Sequence, residues 1–115
     1  MTKPTPLRGE VWFADFAPTR GREQAGTRPA LVISADDYNR SPSGLVVVLP
    51  ITRTPPRVPW HVNLARGEGG LTEDGSILCD QLRAISVDRL IQVKGTVSYL
   101  VLEEVQRRMR YLLDI

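Results

Sequence analysis

Along most of the chain, short apolar runs alternate with turn-forming residues, and near the end the period changes. Residues 9–16 (GEVWFADF) carry aromatic and aliphatic side chains at successive positions, which predicts a first strand apolar on both faces. A polar segment with glycines at 21 and 26 leads to residues 29–34 (PALVIS), a second strand with proline at its start, where a missing N–H is tolerated. Residues 36–41 read as a turn or a single helical turn. Residues 45–51 (LVVVLPI) are strongly β-branched and predict a central third strand.

A loop over 52–59 holds three prolines and two arginines, and a short fourth strand follows at 61–64. The glycine-rich, acidic stretch 66–74 is another loop. Residues 76–86 (SILCDQLRAIS) are expected to extend through a polar interruption at Asp80-Gln81, and 91–97 (IQVKGTV) to close the sheet. Many short strands with turn signals at short intervals predict a small barrel.

The period then becomes helical. Leu102, Val105, Met109, Leu112 and Leu113 recur on one face, charged residues occupy the others, and Ser98 is a suitable N-cap. The pattern predicts a mainly β fold with one amphipathic C-terminal helix, packed on the barrel or on another subunit. At 115 residues, 42% apolar and 24% charged, residues 1–115 form one domain with a single modest core that needs no disulfide or metal staple.

Net charge is only +2, but arginines gather in loops: Arg20, Arg22 and Arg28 in one, Arg53, Arg57 and Arg66 around another. Guanidinium groups on loops suit phosphate, whose oxygens match their planar fork of donors. The single cysteine, Cys79, lies in an apolar stretch and reads as a buried strand residue. With His61 the only histidine, neither a Cys–His nucleophile nor a conventional zinc site is expected, and no metal or other cofactor is called for. No signal peptide is expected, since residues 1–7 lack an apolar h-region. The longest apolar run is too short to span a membrane, and a cytoplasmic location is the expectation.

Specific residues carry a further signal. Gly9-Glu10-Val11-Trp12, Asp15-Phe16-x-Pro18, and Gly21-x-Glu23-Gln24-x-Gly26-x-Arg28-Pro29-Ala30-x-Val32-Ile33-Ser34 resemble the N-terminal signature of the MazF/PemK toxins. The resemblance continues through Tyr38-Asn39, Leu49-Pro50-x-Thr52, Asp80-Gln81 and Gly95-x-Val97. It implies an SH3-like barrel of about five to seven strands with a C-terminal helix, in the PemK/CcdB-like manner, acting as a homodimer. It also implies a toxin of a bacterial type II toxin–antitoxin system that cuts single-stranded RNA at short sequences without a metal ion. Messenger RNA would be cut, stopping translation and growth, and a MazE-like antitoxin would silence the toxin by laying a flexible acidic tail over the RNA groove.

Metal-free cleavage uses RNA's own 2′-hydroxyl as nucleophile and leaves a 2′,3′-cyclic phosphate and a 5′-hydroxyl. The enzyme must help that hydroxyl lose its proton, stabilise the phosphorane-like transition state and protonate the leaving oxygen. A single histidine cannot form the pair that would do this. Arg28 matches the arginine of the family's G-x-R-P motif, which the resemblance implies is catalytic, and its guanidinium stays charged while it holds developing charge. Thr52 is assigned to orienting a phosphate oxygen through its hydroxyl. Glu23 either accepts the 2′-hydroxyl proton or orients Arg28.

RNA contacts are expected from Gln24, Arg20, Arg22, Arg53, Arg57 and Gln81, and from Trp60 as a stacking surface for a base. His61 is a further candidate, weighed against a strand histidine satisfied by a backbone carbonyl. Trp12 is expected in the core, Asp80 in a structural role, and the loop 53–60 as the element that sets the cut sequence. Two alternatives use the same fold: a CcdB-like toxin that binds DNA gyrase, and a non-catalytic RNA-binding barrel.

Overall fold

The computed structural model describes residues 3–17, 21 and 26–115. Among these, seven strands follow in order: β1 (Glu10–Asp15), β2 (Thr27–Val32), β3 (Leu45–Thr52), β4 (His61–Leu64), β5 (Gly75–Leu78), β6 (Arg83–Ser86) and β7 (Leu90–Thr96). Two α-helices complete the chain, the single turn α1 (Asp36–Asn39) and the long α2 (Tyr99–Leu113). The strands form one antiparallel sheet in the order β4-β5-β3-β2-β1-β7, with β6 paired to β3 as well.

The unbroken apolar runs follow from a sheet buried on both faces. Alternate residues of a strand point to opposite sides, and here the two sides feed two cores. Val11, Leu31, Leu49 and Ile51 join Leu64, Ile77 and the helix residues Val105 and Met109 in one. Trp12, Ala14, Ala30, Val32, Val46 and Val48 join Phe16, Ile85 and Leu90 in the other. Trp12 is therefore a core residue, as expected. Helix α2 covers the first face, and the Ser98 hydroxyl caps it by accepting from the Val101 N–H at 3.3 Å. Among the described residues, no helix is long and apolar enough to cross a membrane.

Strand β3 holds the sheet together. Along one edge Val48–Pro50 pairs with β2. Along the other, Leu45–Val48 pairs with β6 and Ile51–Thr52 with β5. The expectation of one continuous strand over 76–86 is corrected here: a 3₁₀ turn at Cys79–Gln81 divides it. The two halves pair with different ends of β3, so the chain must step between them, and the polar Asp80-Gln81 sits at that step. Pro29 is also not at a strand start. It is the third residue of β2, but the β2–β3 ladder begins only at Ala30, so its missing N–H costs that ladder nothing.

The expectation that 91–97 closes the sheet is likewise corrected. Among the described residues, β7 pairs only with β1, β4 pairs only with β5, and the sheet stays open between them. The turn Glu68–Gly70 packs against β7 instead of a strand ladder. Backbone meets backbone there: a Cβ on Gly70 would lie 2.0 Å from the Lys94 carbonyl oxygen, and one on Gly95 would lie 2.8 Å from the Gly69 carbonyl carbon. Three glycines, Gly69, Gly70 and Gly95, thus permit a close backbone approach where no ladder forms.

Residues Tyr38-Asn39 of the sequence motif find their reason at the opposite end. The buried Asn39 amide donates to the carbonyls of Pro6 and Ser34, each at 3.1 Å, which ties the N-terminal segment to the end of β2.

Candidate active site

Arg28 stands on β2 opposite Ala14 of β1, and Thr52 ends β3 opposite Ser76 of β5. Both are half-buried, and both line one cleft of about 740 Å³. Phe13, Arg53, Thr54, Lys94 and the segment 70–75 complete most of its walls. Strand β3 supplies the reason for the meeting: β2 runs along one edge of it and β5 along the other, so Thr52 is held between them. Gly75 makes that hold tight, because a Cβ there would fall 2.1 Å from the Thr52 carbonyl oxygen. The Thr52 hydroxyl is fixed locally, accepting from the Thr54 N–H and donating to the Thr54 hydroxyl, each at 3.3 Å.

The cleft carries charges of both signs. Arg28, Arg53 and Lys94 face Glu73 and Asp74. Glu73 pairs with the Arg53 Nε at 3.2 Å, both side chains well exposed, so the pair contributes little to stability. Asp74 is engaged by the backbone, accepting from the Arg66 N–H at 2.8 Å. The Lys94 ammonium lies 4.8 Å from the centre of the Phe13 ring, a cation–π contact that fixes it at the cleft wall.

Thr52 and Thr54 also border a second, smaller pocket of about 140 Å³, where Arg57, His61 and Gln81 meet Pro55, Ser76 and Leu78. His61 is engaged in the opposite polarity from the backbone-carbonyl alternative. Its Nδ1 accepts from the Arg57 N–H at 3.3 Å, and its Nε2 lies 3.5 Å from an Asp80 carboxylate oxygen. Asp80, expected in a structural role, thus lies against the histidine side chain.

Of the expected site residues, the fold brings Arg28, Thr52 and Arg53 to the large cleft and Arg57, His61 and Gln81 to the small pocket. Trp60 is brought to neither. It packs on the first core and stacks on Tyr111 of α2, ring centres 6.2 Å apart and 19° from parallel. Arg20, Arg22, Glu23 and Gln24 lie outside the described residues. Phe13, Glu73, Ser76 and Lys94 were not singled out in the sequence. Only Lys94 had a signal, standing directly before Gly95-x-Val97; Ser76 reads as an ordinary strand residue until its hydroxyl is seen donating to the Thr54 carbonyl at 2.7 Å.

Cys79 is fully buried, and burial, reinforced by the neighbouring Asp80 charge, pushes its thiol from the usual 9.0 up to about 12. A thiol held protonated is no nucleophile. The same shift predicts an alkaline weakness. The unfolded chain releases this proton near pH 9 and the folded chain only near 12, so stability is intact below 9 and declines as pH rises toward 12. Chemical denaturation of wild type and Cys79→Ala at pH 8 and pH 10.5 should show a smaller alkaline loss in the variant. Equal losses would refute the assignment. Among the described residues, no three His, Cys, Asp or Glu side chains come together as a metal-holding group.

The open antiparallel sheet, its single covering helix and the cleft at the end of β3 define a small, mainly β protein with a groove of mixed charge. The model of the PemK-like, MazF-like toxins of type II toxin–antitoxin systems matches residues 7–113, and the chain belongs to that family. Endoribonuclease MazF9 of Mycobacterium tuberculosis is 34% identical over 113 residues, covering 94% of this chain and 96% of that protein. Among solved structures, MazF from Deinococcus radiodurans aligns with a TM-score of 0.85 at 31% identity, over 98% of this chain and 100% of the other. A MazE–MazF structure from the same organism aligns at 0.80 and 31% identity, over 98% and 99%.

Proposed function

We propose that the protein is the toxin of a type II toxin–antitoxin pair and a sequence-specific, metal-independent endoribonuclease acting on single-stranded RNA. The observation that carries this reading is the convergence of Arg28 and Thr52 on one cleft that also holds Arg53 and Lys94. A scissile phosphate seated between Arg28 and Thr52 would meet a bidentate cation on one side and a positioned hydroxyl on the other. Arg28 stabilises the charge that builds on the phosphorane oxygens, and Thr52 orients one of them. The 2′-oxygen attacks phosphorus as the bond to the 5′-oxygen breaks, and that leaving oxygen takes a proton from water, giving a 2′,3′-cyclic phosphate and a 5′-hydroxyl. Glu23 takes the 2′-hydroxyl proton or orients Arg28.

The substrate is messenger RNA in the bacterial cytoplasm, and the active form is a homodimer. A MazE-like antitoxin with an acidic tail is the natural inhibitor, since such a tail would seek the same three cations that serve the phosphates. The named MazE–MazF relative supports that partner.

The test is direct. Purified protein is incubated with a long single-stranded RNA in excess EDTA, with Arg28→Ala prepared alongside to expose contaminating nuclease. Fragments with 5′-hydroxyl and cyclic phosphate ends, produced only by the wild type, are the expected result. Intact RNA would sink the proposal, and gyrase inhibition in the same preparation would turn the reading toward the CcdB-like alternative. Lys94→Ala should weaken RNA binding and lower the dependence of log K on log salt by about 0.7, one phosphate's worth of released counterion on a single strand. An unchanged salt slope would remove Lys94 from the RNA path.

A further inference from the structure

The small pocket beside Thr52 is walled on one side by the segment 54–57, and that wall is braced at both ends. At its start, the buried Ser76 hydroxyl holds the Thr54 carbonyl at 2.7 Å. At its end, His61 Nδ1 holds the Arg57 N–H at 3.3 Å. Pro55, Pro56 and Pro59 restrict the backbone near and between the two braces. The second brace depends on which imidazole nitrogen carries the proton. Nδ1 can accept only when it is bare, and the Asp80 carboxylate 3.5 Å from Nε2 favours the tautomer with its proton on Nε2.

We infer that His61 is a positioning residue: held in one tautomer by Asp80, it fixes the Arg57 end of the loop and so shapes a pocket that takes one nucleobase flanking the scissile phosphate. The inference rests on the nuclease reading for its substrate. The pocket suits a single planar base. Its volume is about 140 Å³, Leu78 offers an apolar surface, and Arg57 and Gln81 offer donors to a base edge. It shares Thr52 and Thr54 with the large cleft, so a base seated there lies next to the phosphate that Thr52 orients. His61 itself is mostly buried, its side chain 15% exposed, and both of its nitrogens face protein groups.

Two variants separate positioning from direct contact. In His61→Asn, the amide oxygen can replace Nδ1 as the acceptor; in His61→Leu, nothing can. Cut sites mapped by sequencing RNA ends should keep their base preference in His61→Asn. In His61→Leu, that preference should relax at one position beside the cut and KM should rise roughly threefold to tenfold, the worth of one hydrogen bond. Asp80→Ala should shift both readouts in the same direction by less. A His61→Leu protein with unchanged preference and KM overturns the inference, and so does equal damage from Asn and Leu, which would mean that the imidazole touches RNA.

Amide hydrogen exchange at Arg57 decides the structural half without any RNA. Its protection should be lost in His61→Leu and kept in His61→Asn; protection that survives in Leu overturns the inference. A wild type that cuts no RNA would fail the nuclease reading alone, with the exchange result still deciding the role of His61.

Discussion

Replacing Arg28 with alanine is expected to lower the rate of RNA cleavage by on the order of a hundredfold or more, the usual cost of losing one preorganised donor to a developing anion. The loss should fall on kcat more than on KM. A guanidinium that meets equatorial oxygens gains most when their charge rises, and binding alone is shared with Arg53 and Lys94 in the same cleft. Arg28→Lys keeps the charge but not the planar fork, so it should recover only part of the rate. Single-turnover cleavage of a short RNA, with circular dichroism to confirm folding, measures both. An Arg28→Ala protein that cuts within a few-fold of wild type would end the assignment.

The second large effect concerns stability. Gly70 has φ +74°, in the left-handed region, and a Cβ there would meet the Lys94 carbonyl oxygen at 2.0 Å. That oxygen belongs to Lys94, the bulge residue of β7, and the flanking Val93 and Gly95 pair with Trp12 and Val11 of β1, which limits its retreat. Gly70→Ala should therefore cost about 2–5 kcal/mol, combining the left-handed penalty with the overpacking of a backbone contact. Gly67 provides the control. It has φ +96° but nothing within 4 Å of an added Cβ, so Gly67→Ala should cost only the conformational part, about 1–2 kcal/mol. Urea denaturation of the three proteins settles the comparison. Similar losses in both variants would mean that the contact across the open seam adds nothing.

That seam was not legible in the sequence. Alternation in 91–97 identifies a strand and its two faces, but not how many partners it finds, and a ladder was the natural expectation. What stands there is a glycine-lined contact with the turn Glu68–Gly70, and glycines in an acidic stretch read as ordinary loop residues. The division of 76–86 was half visible, since Asp80-Gln81 marked the interruption without saying that each half pairs with a different end of β3. By contrast, the run at 45–51 announced a central strand, because only a strand covered on both faces has use for so many consecutive apolar residues.

The site divides in the same way. Arg28 and Thr52 were legible because motif residues preceded them or stood around them, and the fold brings both to one cleft. Lys94 was not, since a lysine in an alternating strand looks like a solvated face until Phe13 is found beneath it. The polarity of His61 was unreadable for a different reason: whether a histidine donates or accepts depends on neighbours far away in sequence, here Asp80. Trp60, flanked by proline and histidine near arginines, gave no sign that its ring would lie against Tyr111.

Having one strand serve both edges has a cost during synthesis. The ribosome delivers the N-terminal partner of β3 first, so β2 is ready when residues 45–52 emerge, but β5 and β6 appear only as translation reaches residue 86. Throughout that interval a β-branched, hydrophobic edge stands bare in the nascent chain, a template for pairing with any other extended segment nearby. A chain halted with residues 45–52 outside the exit tunnel and 75–86 still inside it would be in its most aggregation-prone form, and chaperone engagement should peak over that interval.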